Sequence, residues 1–363
     1  MRTSLCDTFG IEHPVFGFTP SEHVAAAISR AGGLGVLGCV RFNDAEDLDR
    51  ALTWMDENTD GKPYGVDIVM PAKVPTEGTQ VDLSALIPQG HKEFVQQTLL
   101  KLGVPPLPEG EGGEGVLGWL HSVARSHVDV ALEHPIRLMA NALGSPPVDV
   151  IEQVHAAGVP VAALAGKASH AQRHVENGVD IVVAQGYEAG GHTGEVATMV
   201  LVPEIVDAVS VPVLAAGGIG SGRQAAAALA LGASGVWMGS YWLTTAEYAL
   251  GNSSTQRALL AAGSSDTVRT RVYTGKPARL LKTRWTEAWA AEDAPEPLPM
   301  PLQNLLVSEA HQRIARTDDP SVVSMPVGQV VGRMNDVRPV AEVMASLLSE
   351  FNETVERLAK LSG

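Results

Sequence analysis

The stretch AAGVPVAALAGKASHAQRHVENGVDIVVAQG, from Ala156 to Gly186, contains two short apolar runs separated by a helix-like segment. The runs are VPVAALAG from Val159 and VDIVVAQG from Val179, and a glycine directly precedes each of them. Glycine suits the left-handed cap at the end of a helix, and a Val-rich run directly after it is typical of a buried strand. Strands that are apolar on both faces and alternate with helices predict a parallel β-sheet.

The same unit recurs along most of the chain. Six further apolar runs are HPVFGF from His13, GLGVLG from Gly33, YGVDIVM from Tyr64, IRLMANAL from Ile136, VPVLAAGG from Val211 and GVWMGSYWL from Gly235. Eight strands of this kind are the number that closes a TIM (β/α)8 barrel, the α/β fold that we predict. A doubly wound open sheet stays an alternative, because periodicity does not show closure.

Two regions depart from the repeating unit. Residues 71–128 are irregular and rich in Pro and Gly, and we predict an insertion after the third strand that projects from the rim as a lid. Residues 271–363 form a predicted C-terminal extension or lid, partly helical, so that the barrel covers 1–270. The extension ends in VRPVAEVMASLLSEFNETVERLAKL from Val337, an amphipathic helix expected to pack against the outside of the barrel.

Composition restricts the class of protein and its partners. The chain has 363 residues, 45% of them hydrophobic, and 37 glycines, which is typical of a globular α/β enzyme. Its 26 basic and 41 acidic residues give a formal charge of -15, and no basic run is interleaved with aromatic residues. We therefore expect neither nucleic acid nor an anionic membrane surface as a partner.

The chain shows no sign of export or membrane insertion. Cys6 and Cys39 match no disulfide or zinc spacing, and the N-terminus lacks the apolar segment of a signal peptide, so we expect a cytoplasmic protein. Residues 224–246 carry no charge and are long enough to span a bilayer. The break LGASG inside them favours a buried helix followed by a buried strand.

Glycines follow the last two strands of the predicted barrel, at the end where barrels place their active sites. AAGGIGSGR supplies Gly217 and Gly218, with Ser221 as the expected N-cap of the next helix, and WMGS supplies Gly239 and Ser240. Backbone N–H groups in these two loops would bind a phosphate without a lysine-rich motif. The alternative is that the glycines only form tight turns.

One histidine lies among glycines after the sixth strand, in AQGYEAGGHTGE from Ala184 to Glu195. His192 in this loop is a candidate general base, metal ligand or hydrogen-bond donor. We predict no metal site, because no helix offers partner ligands; His170 and His174 have helical spacing but suit surface or cap positions. A Ser-His triad is also excluded, since the chain has no GxSxG motif.

These segments resemble a known family. AQGYEAGGHTGE, VPVLAAGGI and GVWMGS, in this order, are similar to the signature segments of the nitronate monooxygenases, formerly called 2-nitropropane dioxygenases. Flavin-dependent enoyl-ACP reductases share much of the pattern. The resemblance extends from the first strand to the eighth and is strongest from Val159 to Trp242. It implies an FMN-binding TIM barrel with a helical lid that uses molecular oxygen.

The resemblance also implies roles for individual residues. His192 matches the catalytic histidine of the family. The positions that match FMN contacts or adjoin them are Phe18, Thr19, Asp67, Gln185, Gly190, Gly191, Gly217, Gly218, Trp237, Met238, Gly239 and Ser240. Asp67 stands where most members have an asparagine, and VFGFTPS replaces a methionine-containing turn in the first strand. A carboxylate cannot donate a hydrogen bond as an amide does unless it is protonated.

The implied activity is the FMN-dependent oxidation of nitroalkanes or nitronates with oxygen, giving a carbonyl compound and nitrite. His192 would remove the proton next to the nitro group or, when protonated, stabilise the nitronate. One alternative is an NAD(P)H-dependent enoyl-thioester reductase, although an acidic acyl-carrier partner would be repelled by this acidic chain. Another is a flavin-binding protein without catalysis. The expected partners are a small substrate and oxygen, and a homodimer is allowed.

Overall fold

The computed structural model describes residues 1–70, 83–109 and 120–361, and in it eight parallel strands form a closed barrel. The barrel strands are β1 (Val15–Thr19), β2 (Leu34–Gly38), β3 (Tyr64–Asp67), β4 (Met139–Asn141), β5 (Val161–Ala165), β6 (Ile181–Gln185), β8 (Val213–Ala216) and β9 (Gly235–Met238). Pairing of β1 with β9, Val15 opposite Val236, closes the ring. The predicted TIM barrel is confirmed, and the open sheet is excluded.

Each strand is buried on both faces, as its apolar run predicts. Alternate side chains such as Phe16, Val183 and Leu214 fill the barrel interior, and their neighbours pack against the surrounding helices. Helix α1 (Ser4–Phe9) adds Leu5, Cys6 and Phe9 to the interior cluster. Since the ring of Phe9 packs edge-on against Phe16 near the start of β1, α1 closes the amino-terminal end of the barrel.

Seven helices follow β1 to β8 around the barrel. They are α2 (Glu22–Arg30), α3 (Ala45–Asn58), α5 (His121–Ala131), α6 (Val148–Ala156), α7 (Ala168–Glu176), α8 (Thr198–Ala208) and α9 (Gly222–Ala230). The predicted N-cap is confirmed, because Ser221 Oγ accepts the N–H of Gln224. Residues 224–246 contain most of α9 and all of β9, as the LGASG break indicates. Within the described residues, no helix is long and apolar enough to cross a membrane.

The eighth barrel helix comes from the end of the chain. Helix α13 (Val340–Ala359) packs between α9 and α2, where it buries Val343, Met344 and Leu347 in the same cluster as Ile28. Gly222 permits this contact, since a Cβ there would lie 2.1 Å from the carbonyl oxygen of Leu347. The predicted packing of this amphipathic helix on the barrel is thus observed, and the helix completes the barrel.

Residues 239–339, between β9 and α13, leave the barrel and return to it, and we call this segment the excursion. A bridge between Thr245 and Arg338 joins its two ends. The excursion contains α10 (Ser253–Ala261), β10 (Thr267–Thr270), β11 (Ala278–Leu281), α11 (Arg284–Ala288) and α12 (Leu302–Ala315). Short 3-10 helices lie at Cys39–Arg41, Leu83–Leu86, Ser240–Thr244, Pro320–Val322 and Gln329–Arg333.

The excursion shares a hydrophobic core with the insertion after β3. Helix α4 (Gln89–Lys101) of the insertion packs Val95 and Leu99 with Trp285 and Val307. Parts of the predicted insertion, residues 71–82 and 110–119, lie outside the described residues. The division into 1–270 and 271–363 stays a prediction. Helix α4 packs with the excursion, and helix α13 packs with the barrel.

Candidate active site

The carboxyl ends of the barrel strands form a mouth lined by inward-facing side chains. Alternation from the interior residues places the side chains of Phe18, Asp67, Leu164 and Gln185 in the inward-facing layer at the carboxyl ends of their strands. Phe18, Leu164 and Gln185 are partly exposed. Among the described residues, the side-chain amide of Gln185 has no hydrogen-bond partner, which leaves this group available to a ligand.

Asp67 is the buried acid of this layer. Only 2% of the residue is exposed, and its Oδ1 has no hydrogen-bond partner. Burial raises the pKa of Asp67 to about 7, against the lowering effect of the backbone N–H of Ala142. A buried polar atom without a partner is costly, so this oxygen indicates a missing polar contact in the mouth.

The aromatic side chains at the ends of β1 and β9 face the mouth, and the residue after each of them faces outward. Phe18 and Trp237 stack across the β1–β9 seam, with ring centroids 6.2 Å apart and planes at 20°. Thr19 points out of the barrel, and its hydroxyl accepts the N–H of Ser21. Met238 packs among the surrounding helices, in the cluster that contains Ile28. Only the backbones of Thr19 and Met238 are therefore available to the mouth.

The loops after β8 and β9 offer free backbone donors. Gly217 and Gly218 have φ values of +99° and +71°, a conformation that L side chains rarely adopt. Among the described residues, no hydrogen bond engages the N–H of Gly218 or that of Ser240, the first residue of a 3-10 helix. A Cβ on Gly239, which directly precedes Ser240, would lie 3.5 Å from the Phe18 ring, an ordinary van der Waals contact. These N–H groups fit a phosphate, as the glycine pattern predicts.

A segment of the excursion lies against these loops. The N–H of Gly328 donates to Ser240 Oγ at 2.9 Å, and the N–H of Gln329 donates to the carbonyl oxygen of Glu188 at 2.9 Å. A Cβ on Gly190 would lie 2.7 Å from the nitrogen of Gly328. The small size of Gly190 is thus required by the chain's own backbone. Gly191, with φ +73° and open space, is the glycine that shapes the turn.

His192 is held by an antiparallel sheet rather than by a mobile loop. Residues Gly191–His192 form β7, which pairs with β11, His192 opposite Ala278. His192 Nδ1 lies 3.3 Å from the carbonyl oxygen of Pro277, and Nε2 lies 3.3 Å from Thr274 Oγ1. Since a carbonyl oxygen only accepts, the neutral ring carries its hydrogen on Nδ1 and presents the Nε2 lone pair.

The surroundings of His192 keep it uncharged. Burial lowers its pKa to about 4, the Pro277 carbonyl opposes this, and the charge of Lys276 adds to the lowering. Lys276 is half-buried, and burial lowers its pKa as well. At neutral pH the imidazole is therefore a base and not a cationic hydrogen-bond donor.

Two arginines fix the loop that carries His192. Arg279 is 2% exposed, and its Nε and Nη2 both donate to the carbonyl oxygen of Tyr187, at 3.1 and 3.0 Å. The guanidinium also lies 4.5 Å from the centre of the Tyr187 ring. Arg269 donates to the hydroxyl and the carbonyl of Thr193, at 3.2 and 3.3 Å. The bidentate contact of Arg279 gives the loop one geometry.

These partners from the excursion were not predicted from the sequence. Thr274, Pro277 and Arg279 lie more than 80 residues after the residues that they contact in the His192 loop. The segment TGKPARLL, from Thr274 to Leu281, contains a signal: a Gly-Lys-Pro turn that precedes a short apolar strand. Gly275 has φ +91°, as such a turn requires.

The expected surface or cap position of His174 is wrong. His170 is exposed on α7, but His174 is 5% exposed. His174 Nδ1 lies 2.7 Å from Ser145 Oγ, and Nε2 lies 3.1 Å from the carbonyl oxygen of Leu164. Both ring nitrogens are engaged, and His174 ties the loop after β4 to α7.

Known proteins share the sequence pattern and the fold of this chain. The family model described as nitronate monooxygenase matches residues 2–350. The chain belongs to the nitronate monooxygenase family. A Mycobacterium tuberculosis protein, provisionally named as a monooxygenase, is 49% identical over 99% of both chains. A Staphylococcus aureus protein, provisionally named as a nitronate monooxygenase, is 28% identical over 98% of this chain and 99% of its own.

Two solved structures of similar size match the nitronate monooxygenase fold of this chain. Nitroalkane oxidase from Streptomyces ansochromogenes superposes with a TM-score of 0.82 at 26% identity, covering 98% of this chain and 100% of its own. FabK from Thermotoga maritima superposes with a TM-score of 0.77 at 29% identity, covering 99% of both chains. As a member of this family, the chain is a flavin-dependent oxidoreductase.

Proposed function

We propose that this protein uses FMN and molecular oxygen to oxidise nitroalkanes or nitronates to a carbonyl compound and nitrite. Family membership and the similarity to nitroalkane oxidase support the reaction class. The observation that carries the proposal is the state of His192, a neutral imidazole whose hydrogen is on Nδ1 and whose Nε2 lone pair is basic. A base of this kind suits removal of the weakly acidic proton next to a nitro group.

The residues of the mouth fit a flavin mononucleotide. The free N–H groups of Gly218 and Ser240 would hold the phosphate, and Gln185 and Asp67 would offer polar contacts to the ring system. When bound, the flavin supplies the redox chemistry between substrate and oxygen. The protein itself would orient the substrate and exclude water. We also infer a cytoplasmic location; a homodimer stays a prediction.

In the proposed reaction His192 handles the proton. Nε2 would accept the proton from the carbon next to the nitro group, and the Thr274 hydroxyl, 3.3 Å away, would reorient as the ring becomes charged. The Nδ1–H contact with the Pro277 carbonyl would stabilise the imidazolium. A nitronate has already lost this proton, so its turnover would need no base.

The test compares the two substrate forms in a His192→Ala variant. We expect the variant to retain FMN and to lose nitroalkane turnover by about 10²- to 10⁴-fold, the usual contribution of a general base. Nitronate turnover should fall much less. His170→Ala, which changes an exposed histidine on α7, is the matched control and should behave as wild type. An equal loss of turnover on both substrates would show that His192 does not carry out the proton transfer.

A second candidate is an NAD(P)H-dependent flavin enoyl-thioester reductase. The observation that favours it is the similarity to FabK, a flavin enoyl reductase, over 99% of both chains. The formal charge of -15 weighs against an acidic carrier-protein partner, because like charges slow the encounter. Anaerobic reduction of the bound flavin by NADH would favour this candidate.

A further inference from the structure

Asp67 has the features of a ligand-binding acid rather than of a structural one. It is the last residue of β3, and it faces the barrel interior between Gly38 of β2 and Ala140 of β4. Only 2% of it is exposed, and its Oδ1 has no partner. A structural acid at this depth would be paired or fully hydrogen-bonded.

No described cation compensates a negative charge on Asp67. The backbone N–H of Ala142, after β4, is the one group that favours the charged form. From the β2 side the facing titratable group is the Cys39 thiol, which is fully buried. Arg41, next along the chain, donates to the Pro20 carbonyl and pairs with Glu22. Gln185, whose side chain also faces the mouth, is uncharged.

The protonated and ionised forms of Asp67 have different hydrogen-bonding roles. A carboxylate accepts hydrogen bonds only, whereas a carboxylic acid donates one. The carbonyl oxygens and unprotonated ring nitrogens of a flavin need donors. An asparagine amide at this position would donate at any pH. Of the two forms of Asp67 only the neutral acid can donate, and burial already raises the pKa of Asp67 to about 7.

We propose that Asp67 binds the flavin as a neutral carboxylic acid that donates a hydrogen bond to an acceptor atom of the isoalloxazine ring. The inference rests on the flavin site of the proposed function. Since the free protein has lost much of this proton at alkaline pH, flavin binding takes a proton up from solution there. The affinity of this chain for flavin is therefore pH-dependent, unlike that of a protein with an amide at this position.

Isothermal titration calorimetry measures this proton uptake directly. The full-length chain, freed of flavin, is titrated with FMN at pH 8 in buffers of different ionisation enthalpy, which yields the number of protons bound per flavin. With a pKa of about 7, roughly 0.9 of Asp67 is ionised at pH 8, so wild type should take up close to one more proton than Asp67→Asn. Its Kd for FMN should rise up to about tenfold per pH unit above pH 7, and that of Asp67→Asn should stay flat.

Asp207→Asn, an exposed position on α8, is the matched control and should keep the wild-type proton uptake. Equal uptake by wild type and Asp67→Asn, with FMN bound by both, would overturn the inference and leave the proposed function intact. Proton uptake without any oxidation of nitro compounds would support the role of Asp67 and overturn the proposed function instead. Absence of FMN binding would overturn both.

Discussion

At the scale of single residues, the chemistry of the site depends on which protonation state of each titratable side chain the fold stabilises. The sequence identifies His192 as a candidate base, and its spacing among glycines suggests a ligand nearby. Its protonation state could not be predicted, because it depends on Pro277 and Lys276, which lie far along the chain. The same holds for Asp67: the sequence shows an acid within the third predicted strand, and only the fold shows that its Oδ1 lacks a partner.

The protonation state of His192 leads to a prediction. Burial lowers the pKa to about 4, so the ring stays neutral from pH 8 down to pH 5, and base catalysis by it is lost only as pH falls through about 4. An NMR titration of the imidazole, assigned with a His192→Gln variant, should show a neutral ring protonated on Nδ1 over this range. Titration near 6.5, the ordinary value of a histidine, would show that the ring is not desolvated.

Thr19 and Met238 show why position in a motif does not fix the role of a side chain. Both lie at strand ends that face the mouth, but strand alternation points their side chains outward. Sequence spacing gave the correct strands. The direction of each side chain follows from the register of the barrel, which the sequence does not show.

At the scale of elements, the sheet formed by β7, β10 and β11 connects the His192 loop to the excursion. A two-residue strand such as β7 has no sequence signal of its own. It forms because β11 pairs with it and because Arg279, opposite Gly191, anchors the Tyr187 carbonyl. Arg279 is therefore a positioning residue for His192.

An Arg279→Lys variant tests this role. Lysine cannot make the bidentate contact, so the loop from Tyr187 to Glu195 should exchange its amide hydrogens faster, while FMN stays bound. Nitroalkane turnover should fall at least about tenfold, because a small misplacement of a base is costly. Arg257→Lys, on a surface pair with Asp318, is the control and should change neither quantity. Unchanged exchange in Arg279→Lys would show that pairing with β11 alone holds the loop.

At the scale of the whole molecule, the eight barrel strands were predictable and the eighth helix was not. Each strand lies in a short apolar run, and all eight predicted runs contain strands of the barrel. The helix that completes the barrel, α13, is separated from β9 by the whole excursion. An amphipathic pattern shows that a helix packs on something, but not on what.

The same separation explains why the site was predicted only in part. The loops after β6, β8 and β9 come from the repeating unit, and their glycines are visible in the sequence. The residues that orient His192 and engage Ser240 come from the excursion, which folds back over the mouth. Long-range contacts of this kind have no local signature.

The measurement that tests the central claim most directly is anaerobic reduction of the FMN-loaded protein. A nitronate should bleach the visible absorption band of the oxidised flavin, NADH should not, and admission of oxygen should restore the band with formation of nitrite. Bleaching by NADH together with no response to nitronates or nitroalkanes would contradict the proposed oxidation of nitro compounds and favour the enoyl-thioester reductase.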